Sequence, residues 1–142
     1  MKTKDIFRDK QIIKNLTNIS FPNISLKNQN NIYLNLHRFD TFRLVLYFFS
    51  MTGRPDRALP KNWNKINGAS GCTLQNCKFR DKYDEFISQN ALPIGISTQS
   101  VEDLKEMTER LNISFDVLSD IDLNLSKKLD LPTFRIESKV YI

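Results

Sequence analysis

Apolar residues recur along this chain in short blocks of differing period, and each change of period marks a change of predicted element. Ile12, Ile13 and Leu16 give one short apolar face to an otherwise polar lead-in, residues 1–20, that reads as partly helical. Phe21-Pro22 with Ile24 and Leu26 predicts a short extended segment, followed by a polar turn over Lys27 to Asn31. Ile32, Leu34 and Leu36 then alternate as a half-buried strand does. Arg43 to Phe49 is a continuous apolar run, the pattern of a strand covered on both faces in a parallel sheet.

Ser50 to Gly71 breaks this order. The stretch holds two of the five prolines (Pro55, Pro60) and three of the four glycines (Gly53, Gly68, Gly71). A connection of more than about 12–15 residues in a small domain is usually functional or disordered, and this one ends at a cysteine. From Cys72 to about Gln89 the spacing of Phe79, Tyr83, Phe86 and Ile87 is helical. Leu92 to Ser97 predicts a strand, and Ser100-Val101-Glu102-Asp103 a capping box opening a helix with Val101, Leu104, Met107 and Leu111 inward. Phe115 to Leu118 predicts a third short strand, Leu123 to Leu129 a helix stopped by Pro132, and Thr133 to Ile142 a last extended segment. The alternation is that of the α/β class, with a domain over residues 21–142.

Composition narrows the chemistry. With 142 residues, 40% of them hydrophobic, the chain is one globular domain. Two cysteines and one histidine cannot complete a four-ligand Cys/His zinc site or a disulfide-stapled scaffold within one chain. No run approaches the ~20 apolar residues of a membrane span. Met1 to Lys14 alternates charges (Lys2, Lys4, Asp5, Arg8, Asp9, Lys10, Lys14) without the apolar core of a secretory signal, so the expected address is the cytoplasm, where paired cysteines are redox-active rather than structural. The net charge of +5 is scattered and interleaved with acids, which disfavours nucleic acid as a partner.

The cysteines carry the candidate chemistry. Cys72 lies where the glycine-bearing loop meets a predicted helix, whose first-turn N–H groups are unpaired and whose dipole favours a thiolate. Gly71 before it allows close backbone approach. Read alone, Cys72 is better taken as a small buried hydrophobe, and Cys77 as a helix-face residue buried beside Phe79. Together they constrain each other. At ~1.5 Å rise and 100° per residue, positions five apart have Cα atoms about 8.6 Å apart, beyond the roughly 4.4–6.8 Å of a disulfide. The two sulfurs can join only if the helix's first turn unwinds.

Leu44 to Phe49, then Gly71-Cys72-Thr73 with Cys77 and Phe79-Arg80-Asp81, resembles a peroxiredoxin of the AhpC/TSA (redoxin) family, nearest to the Q branch of bacterioferritin-comigratory proteins. Gly95-Ile96-Ser97-Thr98, the helix after Ser100, Phe115 with Leu118-Ser119-Asp120, and Leu131-Pro132-Thr133-Phe134 continue the pattern, and Met51 to Pro55 matches a longer loop of some members. The resemblance spans about Phe21 to Phe134. It implies a thioredoxin-like fold with a mainly parallel sheet flanked by helices. It also implies a thiol peroxidase without cofactor or metal, working as a monomer or weak dimer on a hydroperoxide. Cys72 would be oxidised to sulfenic acid, Cys77 would condense with it, and thioredoxin or a similar dithiol would reduce the disulfide.

Departures from the family pattern are also legible. Its usual Pro-x-x-x-Thr/Ser-x-x-Cys run meets Lys65 and Ala69 at the proline and hydroxyl positions, leaving Thr52 and Ser70 as candidate hydroxyls. Ser50 stands where the family commonly has a proline after the first core strand. The family's thiolate-binding arginine belongs downstream of Phe134; Arg135 precedes that position, and Arg80, a candidate substitute, reads better as an anchor of the cysteine helix through a salt bridge. The chain ends at Ile142, so the C-terminal hairpin and helix of the fold are expected to be missing. The alternatives to a working peroxidase are a truncated, non-catalytic remnant and a redox-sensing thiol module. His37 reads as a surface or capping residue, Trp63 as loop packing or a wall of the peroxide entrance, and Phe48 and Phe49 as core.

Overall fold

The computed structural model describes residues 3–39, 43–66 and 69–142, with side chains from residue 9 onward. Gly68, Lys2 and the side chains of Lys4, Asp5 and Arg8 lie outside the described residues. The elements in order are α1 (Thr3–Leu16), β1 (Ser25–Asn28), β2 (Tyr33–Asn35), β3 (Arg43–Phe48), α2 (Cys72–Asp81), α3 (Tyr83–Ser88), β4 (Ala91–Ser97), α4 (Val101–Arg110), β5 (Val117–Ser119), α5 (Asn124–Lys128), β6 (Phe134–Ile136) and β7 (Lys139–Tyr141). Short 3₁₀ turns cover Leu36–Arg38 and Trp63–Lys65.

Five strands form one sheet in the order β2-β1-β5-β4-β3, with β3, β4 and β5 parallel and β1 antiparallel to both β2 and β5. The apolar run of β3 divides by period two. Tyr47 and Phe49 pack on one face with Leu104, Met107, Phe115 and Val117 under α2 and α4. Leu44, Leu46 and Phe48 face the other cluster, with Ile94, Ile96, Leu118, Leu125 and Leu129. Both faces are covered, as expected, although β3 ends the pairing order on its side.

Proline inside β4 is tolerated for a reason of register. Gly95 and Ser97 turn toward β5, with the Gly95 N–H donating to Asp116 O (3.3 Å) and the Asp120 N–H to Ser97 O (2.8 Å). Pro93 faces the same side two residues earlier, where pairing with β5, which starts at Gly95↔Val117, has not begun. The missing N–H therefore costs no ladder bond.

Several expectations are refined. The predicted helix over 72–89 is two, α2 and α3, broken at Lys82. The polar turn expected over Lys27 to Asn31 is present but shorter: Lys27 and Asn28 belong to β1, Gln29 and Asn30 turn, and Asn28 and Gln29 are buried. Asn28 Nδ2 donates to Asp116 Oδ1 (2.8 Å), while its Oδ1 accepts the Asn30 and Ile32 N–H groups (3.0 Å each) and closes the turn internally. Of the capping box one half is present, Ser100 Oγ accepting the Asp103 N–H at 3.1 Å, while the Asp103 carboxylate pairs with Arg54 and Arg57. Asp120, buried, accepts the Leu125 and Ser126 N–H groups and starts α5. His37 sits exposed in its 3₁₀ turn, its Nδ1 3.0 Å from Phe21 O.

A C-terminal hairpin was expected to be missing, and this is corrected: β6 and β7 pair antiparallel from Phe134↔Tyr141 to Ile136↔Lys139. The hairpin forms its own two-stranded sheet, held because Phe134 and Tyr141 close on Trp63, with ring centroids 5.9 and 5.0 Å away. Among the described residues no helix is long and apolar enough to cross a membrane.

Gly95 shows how tightly the sheet carries the aromatic layer beneath α2. A Cβ there would lie 2.7 Å from Tyr47 Oη and 2.8 Å from its Cζ. Gly95→Ala is therefore expected to destabilise the fold by about 1–3 kcal/mol through overpacking, measured by thermal unfolding; a variant as stable as the parent would contradict this packing.

Candidate functional site

The N-terminus of α2 begins at Cys72, directly after Gly71, whose φ of 97° is a left-handed conformation that glycine adopts without strain. A Cβ at Gly71 would meet nothing within 4 Å, so glycine serves the turn there and not a close approach. No side chain caps the helix and no acidic residue sits in its first turn. The positive end of its dipole is left for the residue that opens it, Cys72.

A buried bridge fixes this turn to the sheet. Asn76, 0% exposed, donates from Nδ2 to Cys72 O at 2.9 Å and accepts at Oδ1 from the Tyr47 hydroxyl at 2.7 Å. Burial raises the Tyr47 pKa well above the usual phenol range, so it stays a donor. Its ring stacks on Phe79 at 3.9 Å between centroids, and Phe79 stacks on Phe86 at 5.5 Å. Asn76 escaped the sequence reading; the signal was a polar residue on the same helical face as Phe79 and Tyr83.

Cys72 is 6% exposed. It packs at the rim of the cluster containing Tyr47 and Phe49, as the small-hydrophobe reading expected, and it also lines an open cleft of about 420 Å³. Loop residues Met51, Arg54, Leu59 and Trp63 line it as well. Trp63 is buried in the loop, as the packing reading expected, and lines the same cleft as Cys72.

The hydroxyl nearest the sulfur belongs to neither sequence candidate. Ser50 Oγ lies 3.2 Å from Cys72 Sγ and 3.2 Å from Ala69 O. Ser70 is exposed, and the buried Thr52 Oγ1 has no hydrogen-bond partner among the described residues. Ser50 is held from behind by Ser97 Oγ, which donates to Ser50 O at 3.2 Å.

The cation on the cleft wall is Arg54. Its guanidinium bonds Asp56 Oδ1 and Oδ2 (2.9 Å each) and Asp103 Oδ1 (3.0 Å), tying the long loop to α4. The Asp56 bond above all, then that to Asp103, raises the Arg54 pKa. Arg135 lines a different cavity, beside Thr98 and Lys139, and does not line the Cys72 cleft. Arg80 anchors its helix, as one reading expected, donating to Leu111 O at 2.7 Å and pairing with Asp81. Its pKa is raised chiefly by Asp81, with Cys77 one turn back adding to the effect.

Cys77 is half-buried, and both cysteines are free. Because both lie within the helical span of α2, their Cα atoms stand about 8.6 Å apart by helix geometry. Joining the sulfurs requires the first turn to open and the Asn76–Cys72 bond to break.

Tyr47→Phe would strip the buried Asn76 Oδ1 of its donor. The variant is expected to lose about 1–3 kcal/mol of stability in urea denaturation; no loss would mean the bridge does not hold α2.

Comparison with known proteins identifies the family. The AhpC/TSA family description matches residues 18–140. Chloroplastic peroxiredoxin Q of Oryza sativa subsp. japonica is 30% identical over 111 residues, 78% of this chain and 44% of the relative. Peroxiredoxin Bcp of Escherichia coli K12 is 32% identical over 101 residues, 71% of this chain and 55% of that one. The chain thus spans about half the length of these relatives. Peroxidoxin BcpB of Mycobacterium tuberculosis shares the thioredoxin-like fold, with a TM-score of 0.68 at 22% identity, over 86% of this chain and 70% of that structure. The chain belongs to the AhpC/TSA family, on its Q-type peroxiredoxin branch.

Proposed function

We propose that this protein is a thiol peroxidase in which Cys72 is the attacking sulfur and Cys77 the resolving one. The observation that carries this reading is the place of Cys72, at the uncapped start of α2 and lining an open cleft, with a second free thiol in the same helix. The thiolate of Cys72 attacks one oxygen of a hydroperoxide, the O–O bond breaks, and the departing alkoxide or hydroxide takes up a proton. Cys72 becomes a sulfenic acid. The first turn of α2 then unwinds, the Cys77 thiolate attacks the sulfenic sulfur, and hydroxide leaves as the Cys72–Cys77 disulfide forms. An external dithiol such as thioredoxin restores both thiols by exchange.

Both sulfurs lie on one chain, so the cycle closes within a monomer. Its reduction step needs a compartment that keeps dithiols reduced, such as the cytoplasm.

A second reading, a redox-sensing thiol that is oxidised once and not turned over, is favoured by the 6% exposure of Cys72. Stoichiometric peroxide separates the readings. The peroxidase is expected to lose both thiols rapidly into an intramolecular disulfide and to consume excess peroxide when a dithiol is supplied. Cys72→Ser should abolish consumption, and Cys77→Ser should leave a sulfenic acid trapped by a dimedone-type probe. Oxidation no faster than that of free cysteine overturns the enzymatic reading; fast oxidation without turnover selects the sensor.

A further inference from the structure

We infer that Ser50 is a catalytic residue, a hydroxyl that turns its single proton onto Cys72 Sγ when the thiol ionises. The inference rests on the peroxidase reading only in taking Cys72 as the reacting sulfur. Two acceptors compete for that proton, since Ser50 Oγ stands 3.2 Å from Ala69 O and 3.2 Å from Sγ. A hydroxyl has one O–H to give and lone pairs to receive with.

With Cys72 as a thiol, its S–H has Ser50 Oγ at 3.2 Å and, farther off, Ala69 O at 3.8 Å as acceptors, and the shorter contacts are satisfied in one direction. Ser50 donates to Ala69 O and the S–H donates to Ser50 Oγ. Once the sulfur is a thiolate it can only accept. Rotation about the Ser50 Cβ–Oγ bond then moves the proton from Ala69 O to Sγ without moving any heavy atom. The charged acceptor draws the stronger bond.

The surroundings keep this oxygen in place. Ser50 is 2% exposed, so water does not substitute for it. It follows directly on β3, where the Phe49 N–H donates to Ile96 O at 3.1 Å, and its own carbonyl is held by Ser97 Oγ. Ala69, fully buried, offers only its backbone carbonyl at this spot. The residue on the loop side thus has no hydroxyl of its own, and the strand side provides one.

The test reads thiolate reactivity by iodoacetamide alkylation in a Cys77→Ser background, where Cys72 is the one thiol left, across pH 5 to 9. A hydrogen bond to an ionised group is worth enough to change the ionised fraction by about tenfold. Ser50→Ala is therefore expected to alkylate about tenfold more slowly near pH 7, with its pH–rate profile displaced to higher pH and its limiting alkaline rate kept. Ser50→Thr, which keeps the hydroxyl, should retain most of the rate. Thr52→Ala, which removes a neighbouring buried hydroxyl away from Sγ, should match the background. If Ser50→Ala fails to fold by circular dichroism, Ser50→Gly removes the same hydroxyl with less bulk and is held to the same expectation. A hydroxyl-free variant with an unshifted profile overturns the assignment, whether its rate is unchanged or uniformly lowered. Because alkylation needs no peroxide, a parent that alkylates with Ser50 dependence yet consumes no peroxide would sink the peroxidase reading and leave Ser50 standing.

Discussion

One buried amide ties the cysteine-bearing segment to the scaffold. Asn76 holds the Cys72 carbonyl with one end of its side chain and takes the Tyr47 hydroxyl with the other. A buried polar group of this kind is costly when unpaired and strongly orienting when satisfied. Removing any member leaves another without its partner, so the first turn of α2 has one favoured seat on β3. Gly95 leaves room for the Tyr47 ring, and Phe79 stacks on it from the helix, so sheet, ring and helix are fixed together.

That seat sets the chemistry. It presents Cys72 with the unpaired amides of an uncapped helix beneath the end of β3, where Ser50 arrives. The long loop closes the other side and is pinned at several points: Arg54 to Asp103, the Arg110 guanidinium to Gly53 O, and the Thr52 N–H to Gln99 Oε1. The cleft is therefore a built feature of the loop. Cys72, 6% exposed, is one of the residues that line it.

Much of this was legible along the chain. The continuous apolar run of β3, the Ser100 cap and the helix that carries both cysteines each depend on neighbours in sequence, and each is present: β3 is covered on both faces, Ser100 caps α4, and Cys72 and Cys77 share α2. The contacts that define the site do not depend on such neighbours. Ser50 meets Cys72 across 22 residues, and Tyr47 meets Asn76 across 29. Thr52 and Ser70 were nearer guesses because they flank the cysteine's loop, but a side chain just beyond a strand end has no periodicity to fix its direction. The hairpin over β6 and β7 was missed for a related reason. Its two short strands gain their support from Trp63, far upstream, and not from the main sheet.

The central claim is that α2 is closed while the thiols are apart and must open for them to join. Amide hydrogen exchange of α2 in the reduced and the peroxide-oxidised protein tests it most directly. The account predicts protection of the amides from Gln75 onward in the reduced protein and its loss in the disulfide form. A Cys72–Cys77 disulfide formed with that protection intact would contradict it.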